Sequence, residues 1–94
     1  YRALGFTELD GMAIRVQLEG GRSTECSIAA EPNERVVRFD IDGGKNQGTL
    51  VFTLDRVTVD GVTRSLEPGA DVLVTASKKS VRVTADEQEI WSRD

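Results

Sequence analysis

The sequence predicts an all-β domain, either an antiparallel β-sandwich or a small barrel, built from about seven to nine short strands. Three observations favour this class: apolar and polar residues alternate over most of the chain, turn-forming residues recur every ~8–12 positions, and no helical period lasts longer than about one turn. We expect residues 1–94 to form a single domain with a modest core. Because the chain begins with Tyr1 rather than methionine, we expect it to be a processed or excised piece of a longer protein.

The clearest local signal is Asp60-Gly61, which lies between two runs of β-forming residues. An Asp-Gly pair in this position favours a type I′ turn, because both central residues of that turn need a positive φ. A two-residue loop also fixes the register, so Val59 should face Val62. The sequence therefore predicts a β-hairpin here, within a meander of four or five strands that runs from Leu50 to Thr84.

The residues before this hairpin predict further strands. Residues 3–9 form a candidate first strand, and residues 12–18 alternate between apolar and polar side chains, as a half-buried strand does. Residues 23–29 are more polar and are expected to form an edge strand, with Cys26 and Ile28 or their neighbours facing inward.

Two more strands are predicted at residues 35–42 and 50–54, separated by residues 43–48, the longest expected loop. Every second residue of these strands is apolar, so one face of each should be buried. The side chains expected in the core are Val37, Phe39, Ile41, Leu50, Phe52 and Leu54.

The C-terminal end of the chain has two interpretations. Pro68-Gly69 predicts a turn, and strands should follow it at residues 71–76 and 81–84. Thr84 and Glu87 then match the spacing of a capping box, which would begin a short helical turn. The alternative is a final strand that carries Ile90 and Trp91.

Composition argues against several functions. The formal net charge of −4 and the pI near 4.8 disfavour binding to nucleic acid or to anionic membranes, and no apolar run is long enough to insert into a membrane. Histidine, the commonest general base and metal ligand, is absent, and Cys26 is the only cysteine. No glycine-rich stretch matches a phosphate-binding fingerprint. We therefore expect no enzymatic activity and no cofactor.

The segment after residue 39 shares with calcium-binding loops several side chains that could supply an oxygen ligand, namely those of Asp40, Asp42 and Asn46. The helix–loop–helix calcium pattern fails, however, because its fifth position is Gly44 and its sixth is Lys45. The alternative is a glycine turn that follows a strand with acidic residues on its solvent face. No metal is predicted, and these three residues are the only candidates for one.

Aromatic and arginine side chains are the candidate binding residues. Tyr1, Phe6 and Trp91 could form a platform for a sugar ring, or they could be core residues or contacts to a neighbouring domain. Arg38 should point outward from the strand at residues 35–42. We retain Arg38 and Trp91 as the binding candidates.

Residues 14–18 (IRVQL) and 31–40 (EPNERVVRFD) together resemble the AMIN domains, which are β-sandwich modules of periplasmic amidases and secretins that target sites in the cell envelope. Their signature is an Arg-Val-x-Leu strand, then a proline, an arginine and an apolar strand that ends in Asp-hydrophobic-Pro-Gly. The resemblance covers residues 6–43, and the chain departs from the signature at Ile41-Asp42-Gly43. It implies an envelope module that binds peptidoglycan or another glycan.

These observations predict a non-catalytic, extracytoplasmic module of the cell envelope or surface. We expect it to act in structural assembly or protein–protein interaction, by binding a protein partner or itself through the edges of its sheets. The polar strand at residues 23–29 is the expected edge. A glycan-binding accessory domain of the AMIN type is the alternative.

Overall fold

The computed structural model describes residues 2–94 and has ten strands and no helix over that range. The strands are β1 (Arg2–Leu9), β2 (Met12–Glu19), β3 (Glu25–Glu31), β4 (Glu34–Ile41), β5 (Asn46–Thr53), β6 (Arg56–Val59), β7 (Val62–Ser65), β8 (Asp71–Ala76), β9 (Val81–Ala85) and β10 (Gln88–Arg93). They form two five-stranded sheets: sheet A in the order β1-β2-β8-β9-β10 and sheet B in the order β3-β4-β5-β6-β7.

The all-β class is confirmed, and the two sheets make the domain sandwich-like. The expected number of strands was too low, because both β1 and β10 are formed and the segment predicted as a meander contains five strands, β5 to β9. The sheets are also not wholly antiparallel, since β2 and β8 pair in parallel from Ala13 opposite Asp71 to Leu18 opposite Ala76. Parallel neighbours need a long crossover, and here the whole of sheet B connects the two strands.

Asp-Gly turns set the register of two hairpins. Asp60 and Gly61 have φ values of 50° and 73°, and Val59 pairs with Val62 as predicted. Asp10 joins β1 to β2 in the same way, with a φ of 48°. The positive φ of both turn residues is the condition for a type I′ turn, so the hairpin predicted at Asp60-Gly61 is confirmed.

The loop expected at residues 43–48 is shorter than predicted. Strand β5 already begins at Asn46, so the connection from β4 is the turn Asp42–Lys45. Asp42, Gly43 and Gly44 all have positive φ, and the amide of Lys45 donates to the carbonyl of Ile41 at 3.0 Å. The polar residues 46–49 lie at strand positions because β4 pairs with them along its full length.

Leu54 does not lie in the core, which corrects the prediction for that residue. Strand β5 ends at Thr53, and Leu54 and Asp55 form the two-residue turn to β6. The side chain of Leu54 is therefore 41% exposed, although its spacing from Phe52 continues the buried face of the strand.

The chain leaves sheet B after β7, so the predicted meander is not continuous. The amide of Ala70 donates to the carbonyl of Glu67 at 3.1 Å, which confirms a turn around Pro68 and Gly69. Leu66 and Ala70 are both buried. This segment is therefore a packed crossing from sheet B to sheet A rather than a link between neighbouring strands.

Of the two interpretations of the C-terminus, the final strand that carries Ile90 and Trp91 is confirmed and the helical turn is wrong. Asp86 and Glu87 have φ values of 50° and 71°, which a right-handed helix does not allow. They form the turn between β9 and β10, and Trp91 pairs with Val83. The capping-box spacing of Thr84 and Glu87 was coincidental, because pairing with β9 decides the conformation.

The inner faces of both sheets meet in one apolar core. Side chains at every second position of the central strands are buried, as strand geometry requires. The largest of them are Phe52, Met12, Ile14, Leu18, Ile41 and Leu50. Over the described residues no helix is long and apolar enough to cross a membrane.

Candidate functional site

The two sheets have four edge strands, and two of them are protected. Strand β7 is only four residues long, and β10 shifts register between Glu89 and Trp91. Arg64 of β7 also donates through Nε to the carbonyl of Ile90 at 3.0 Å. Short length, a bulge and a covering charged side chain are the usual means by which edge strands avoid pairing with other chains.

The other two edges, β1 and β3, lack such protection. They are eight and seven residues long and contain neither proline nor lysine. Strand β3 does lie at the edge of sheet B, as predicted, and it has Glu25 and Glu31 at its two ends. Strand β1 differs because large apolar side chains lie beside its free edge.

Leu4 and Phe6 are the exposed apolar residues of β1. Their side chains are 68% and 63% exposed. Across the strand pair they lie opposite Gln17 and Arg15, and together with Gly5 these four residues line a shallow depression of about 310 Å³. Exposed leucine and phenylalanine at alternate positions on one face of an edge strand are typical of a surface that binds another chain.

The backbone of β1 presents hydrogen-bonding groups to the same edge. Because a two-residue turn joins β1 to β2, Leu9 belongs to the hydrogen-bonded pair next to that turn. Hydrogen-bonded and non-hydrogen-bonded pairs alternate along an antiparallel ladder. The N–H and C=O groups that point away from β2 are therefore those of Arg2, Leu4, Phe6 and Glu8.

The inner face of β1 is fixed on sheet B. A Cβ at Gly5 would lie 3.2 Å from Sγ of Cys26 and 3.3 Å from Cδ1 of Ile28, so β3 lies directly beneath this glycine. Arg35 Nε donates to Oγ1 of Thr7 at 3.2 Å. Strand β1 is therefore held in place by the close approach of Gly5 to β3 and by the hydrogen bond at Thr7, rather than by another element packed over its free edge.

Arg38 lies in a different place, on the outer face of sheet B. It lines a groove of about 500 Å³ together with Glu25, Ser27, Asp40 and Gln47. Among residues 2–94 the structure gives Arg38 no ion pair. The lining of this groove includes side chains of both signs of charge as well as apolar surface, and Phe39 is the aromatic residue among the described residues that line it.

Trp91 is half-buried and packs against the core from β10, so it is not an exposed sugar platform. The guanidinium carbon of Arg93 lies 6.0 Å from the centre of its ring, a cation–π distance. Arg93 also pairs with Asp60 in the β6–β7 turn. Phe6 lies on the opposite edge of sheet A, so the structure does not bring these two aromatics together, and Tyr1 lies outside the described residues.

The three metal candidates each bind a different group of the protein. Oδ1 of Asp40 accepts from the amide of Gly44 at 2.6 Å, and Oδ2 of Asp42 lies 3.1 Å from Nζ of Lys78. Nδ2 of Asn46 donates to the carbonyl of Ser77 at 2.7 Å. The described residues contain no group of three or more acidic, cysteine or histidine side chains placed to hold a metal ion.

Cys26 is half-buried in β3, and its burial raises the pKa of the thiol. The thiolate is the reactive form, so less of it is present near neutral pH than in a solvated thiol. We expect iodoacetamide to modify Cys26 more slowly than free glutathione, with the rate profile displaced to higher pH. Mass spectrometry of timed samples measures the rate. Equal rates for the native chain and for the chain unfolded in guanidinium would contradict the effect of burial.

Sequence reasoning missed Leu4 as a candidate residue and placed Phe6 only with the other aromatics. A usable signal existed in the Asp10-Gly11 turn. Counting back from it pairs Leu9 with Met12 and assigns the odd-numbered residues of β1 to the buried face. Leu4 and Phe6 then fall on the outer face, against their hydrophobicity.

No protein-family model, curated protein or solved structure matches the chain. Its function is therefore inferred from the geometry of the edge strand and the groove.

Proposed function

We propose that the domain is a non-catalytic assembly module that associates with another polypeptide by strand addition at the free edge of β1. The observation that carries this proposal is an unprotected eight-residue edge with Leu4 and Phe6 exposed beside it. Strand addition uses main-chain hydrogen bonds for affinity and side chains at alternate positions for specificity.

The apolar side chains of Leu4 and Phe6 add binding free energy that main-chain hydrogen bonds alone do not provide. A main-chain hydrogen bond replaces bonds to water, so its net contribution is only about 0.5–1.5 kcal/mol. Full burial of a leucine or phenylalanine side chain contributes about 1.5–3 kcal/mol each. Leu4 and Phe6 therefore distinguish β1 from β3, where the side chains of Cys26 and Ile28 already contact sheet A.

The absence of histidine and of a phosphate-binding motif from the sequence supports a non-catalytic role. The resemblance of residues 6–43 to envelope modules supports a location outside the cytoplasm, and fractionation of cells that produce the chain tests it. A protein partner rather than a nucleic acid fits the net charge of −4.

Photo-crosslinking tests the proposed function. A crosslinking residue at position 4 should yield an adduct in the producing cells, because that position borders the free edge. The same residue at Thr63, which is exposed on the protected edge strand β7, should yield none. The adduct should disappear with Phe6→Pro, which removes an edge amide and keeps the ladder to β2. Equal adducts from both positions, or none from position 4, would refute the proposal.

Glycan binding is a second candidate, favoured by the groove around Arg38. The polar side chains among its lining residues suit a ligand rich in hydroxyl groups, and Arg38 is available as a donor. Retention on purified peptidoglycan, weakened by Arg38→Ala but not by Phe6→Pro, would support this function over strand addition.

A further inference from the structure

We infer that the strand added to β1 is β1 of a second copy of this chain, paired antiparallel about a two-fold axis at Gly5. This inference rests on the proposed function and names its partner. It follows from the alternation of backbone groups along β1 and from the charges at its two ends.

Hydrogen bonding restricts the possible registers. The edge-facing amides and carbonyls belong to even-numbered residues, so an even-numbered residue must lie opposite an even-numbered residue of the second copy. Three central antiparallel pairings satisfy this condition. They place Leu4 opposite Leu4, Leu4 opposite Phe6, or Phe6 opposite Phe6.

The charges of Arg2 and Glu8 favour the pairing of Leu4 with Phe6. With Leu4 opposite Phe6, Arg2 of each copy lies opposite Glu8 of the other, so two ion pairs form at the ends of the joint ladder. The Leu4–Leu4 register leaves Glu8 without an opposite residue in β1, and the Phe6–Phe6 register does the same to Arg2. Only one register therefore satisfies both charges.

The side chains available for this pairing are accessible. Arg2, Leu4, Phe6 and Glu8 are all exposed. Nη2 of Arg2 already lies 3.4 Å from Oε1 of Glu19, but a guanidinium has five donors and can serve two carboxylates. Gly5 at the axis has no side chain to obstruct the approach of its copy.

The pairing also explains why the remaining edges of sheet A are protected. Two five-stranded sheets joined at β1 form one continuous ten-stranded sheet with a β10 at each end. The register shift in β10 and the bond from Arg64 to Ile90 oppose further addition there. A two-fold interface of this kind closes, so the product is a dimer rather than a fibre.

Sedimentation equilibrium over a wide concentration range tests the inference on the full chain. We expect a monomer–dimer equilibrium for the natural sequence. Leu4→Pro removes one edge amide and leaves the ladder to β2, so dimerisation should weaken by at least about ten-fold. A monomer at every concentration would overturn the second copy as partner, and a crosslink from position 4 to another protein would still leave the proposed function standing.

Charge exchange tests the register and does not depend on the fold of the proline variant. Arg2→Glu and Glu8→Arg should each weaken dimerisation by about ten-fold, because each places like charges opposite one another twice. Combining them should restore it. The matched control is Arg82→Glu, which alters an exposed ion pair on β9 and should leave the equilibrium unchanged. Failure of the combined variant to recover, with circular dichroism showing a native fold, would overturn this register.

Discussion

Replacing Phe52 with alanine is expected to lower the free energy of unfolding by about 3–5 kcal/mol, the largest effect of any single truncation in this domain. Phe52 is fully buried on β5, the central strand of sheet B, and is the largest fully buried side chain. Its cross-strand neighbours are Arg35 on β4 and Val57 on β6. Because both flanking strands are fixed by their own hairpins, the sheet cannot collapse into the space left by the ring.

Urea denaturation followed by tryptophan fluorescence or circular dichroism measures this loss. Domains of this kind have a total stability of about 5–15 kcal/mol, so the variant should be close to unfolding at room temperature. Val51→Ala is the matched control, since Val51 is the preceding residue and faces the opposite, partly exposed side of the strand. A loss below about 1 kcal/mol for Phe52→Ala would contradict the packing of the two sheets.

The parts of the fold that the sequence predicts are those set by neighbouring residues. Asp60-Gly61 fixes both the turn and the register of its hairpin because two residues must adopt positive φ. The alternation in β4 likewise places Val37 and Phe39 in the core correctly. Such features need no information from distant parts of the chain.

The parts that could not be predicted depend on long-range pairing. The neighbour of β8 is β2, and nothing within residues 71–76 indicates that partner or its parallel direction. Leu54 continues an apolar alternation, and only the pairing of β5 with β6 shows that the strand has already ended. The helical turn at Thr84 failed for the same reason, because pairing with β9 outweighs a local capping signal.

The candidate site, too, could be predicted from the sequence only in part. The edge position of β3 could be predicted from its polarity, whereas the exposure of Leu4 and Phe6 on β1 could not, because both are residue types typical of a core. Their exposure results from the parity imposed by the Asp10 turn and from the place of β1 at the end of sheet A. An apolar pattern alone does not distinguish a buried strand from an exposed edge strand.

Asn46, a candidate metal ligand by sequence, forms hydrogen bonds between the two sheets in the structure. Its amide nitrogen donates to the carbonyls of Ser77 and Ser80 in the β8–β9 loop, at 2.7 and 3.3 Å. Its amide oxygen accepts from Nη2 of Arg93 at 2.7 Å, and Arg93 in turn pairs with Asp60. One side chain thus links β5 of sheet B to the β8–β9 loop and to β10 of sheet A.

Asn46→Ala is therefore expected to lower the free energy of unfolding by about 1–3 kcal/mol, because its hydrogen bonds to the carbonyls of Ser77 and Ser80 and from the guanidinium of Arg93 are lost together. Urea denaturation measures the change, and Gln47→Ala is the matched control, since Gln47 is exposed on the opposite face and its loss should cost no more than about 0.5 kcal/mol. Asn46→Asp keeps the acceptor for Arg93 and removes the donor, so recovery of stability in that variant would assign the effect to Arg93 alone. If calcium instead raised the melting temperature of the natural chain and not that of Asn46→Ala, Asn46 would be a ligand, and its role as a link between the sheets would be secondary.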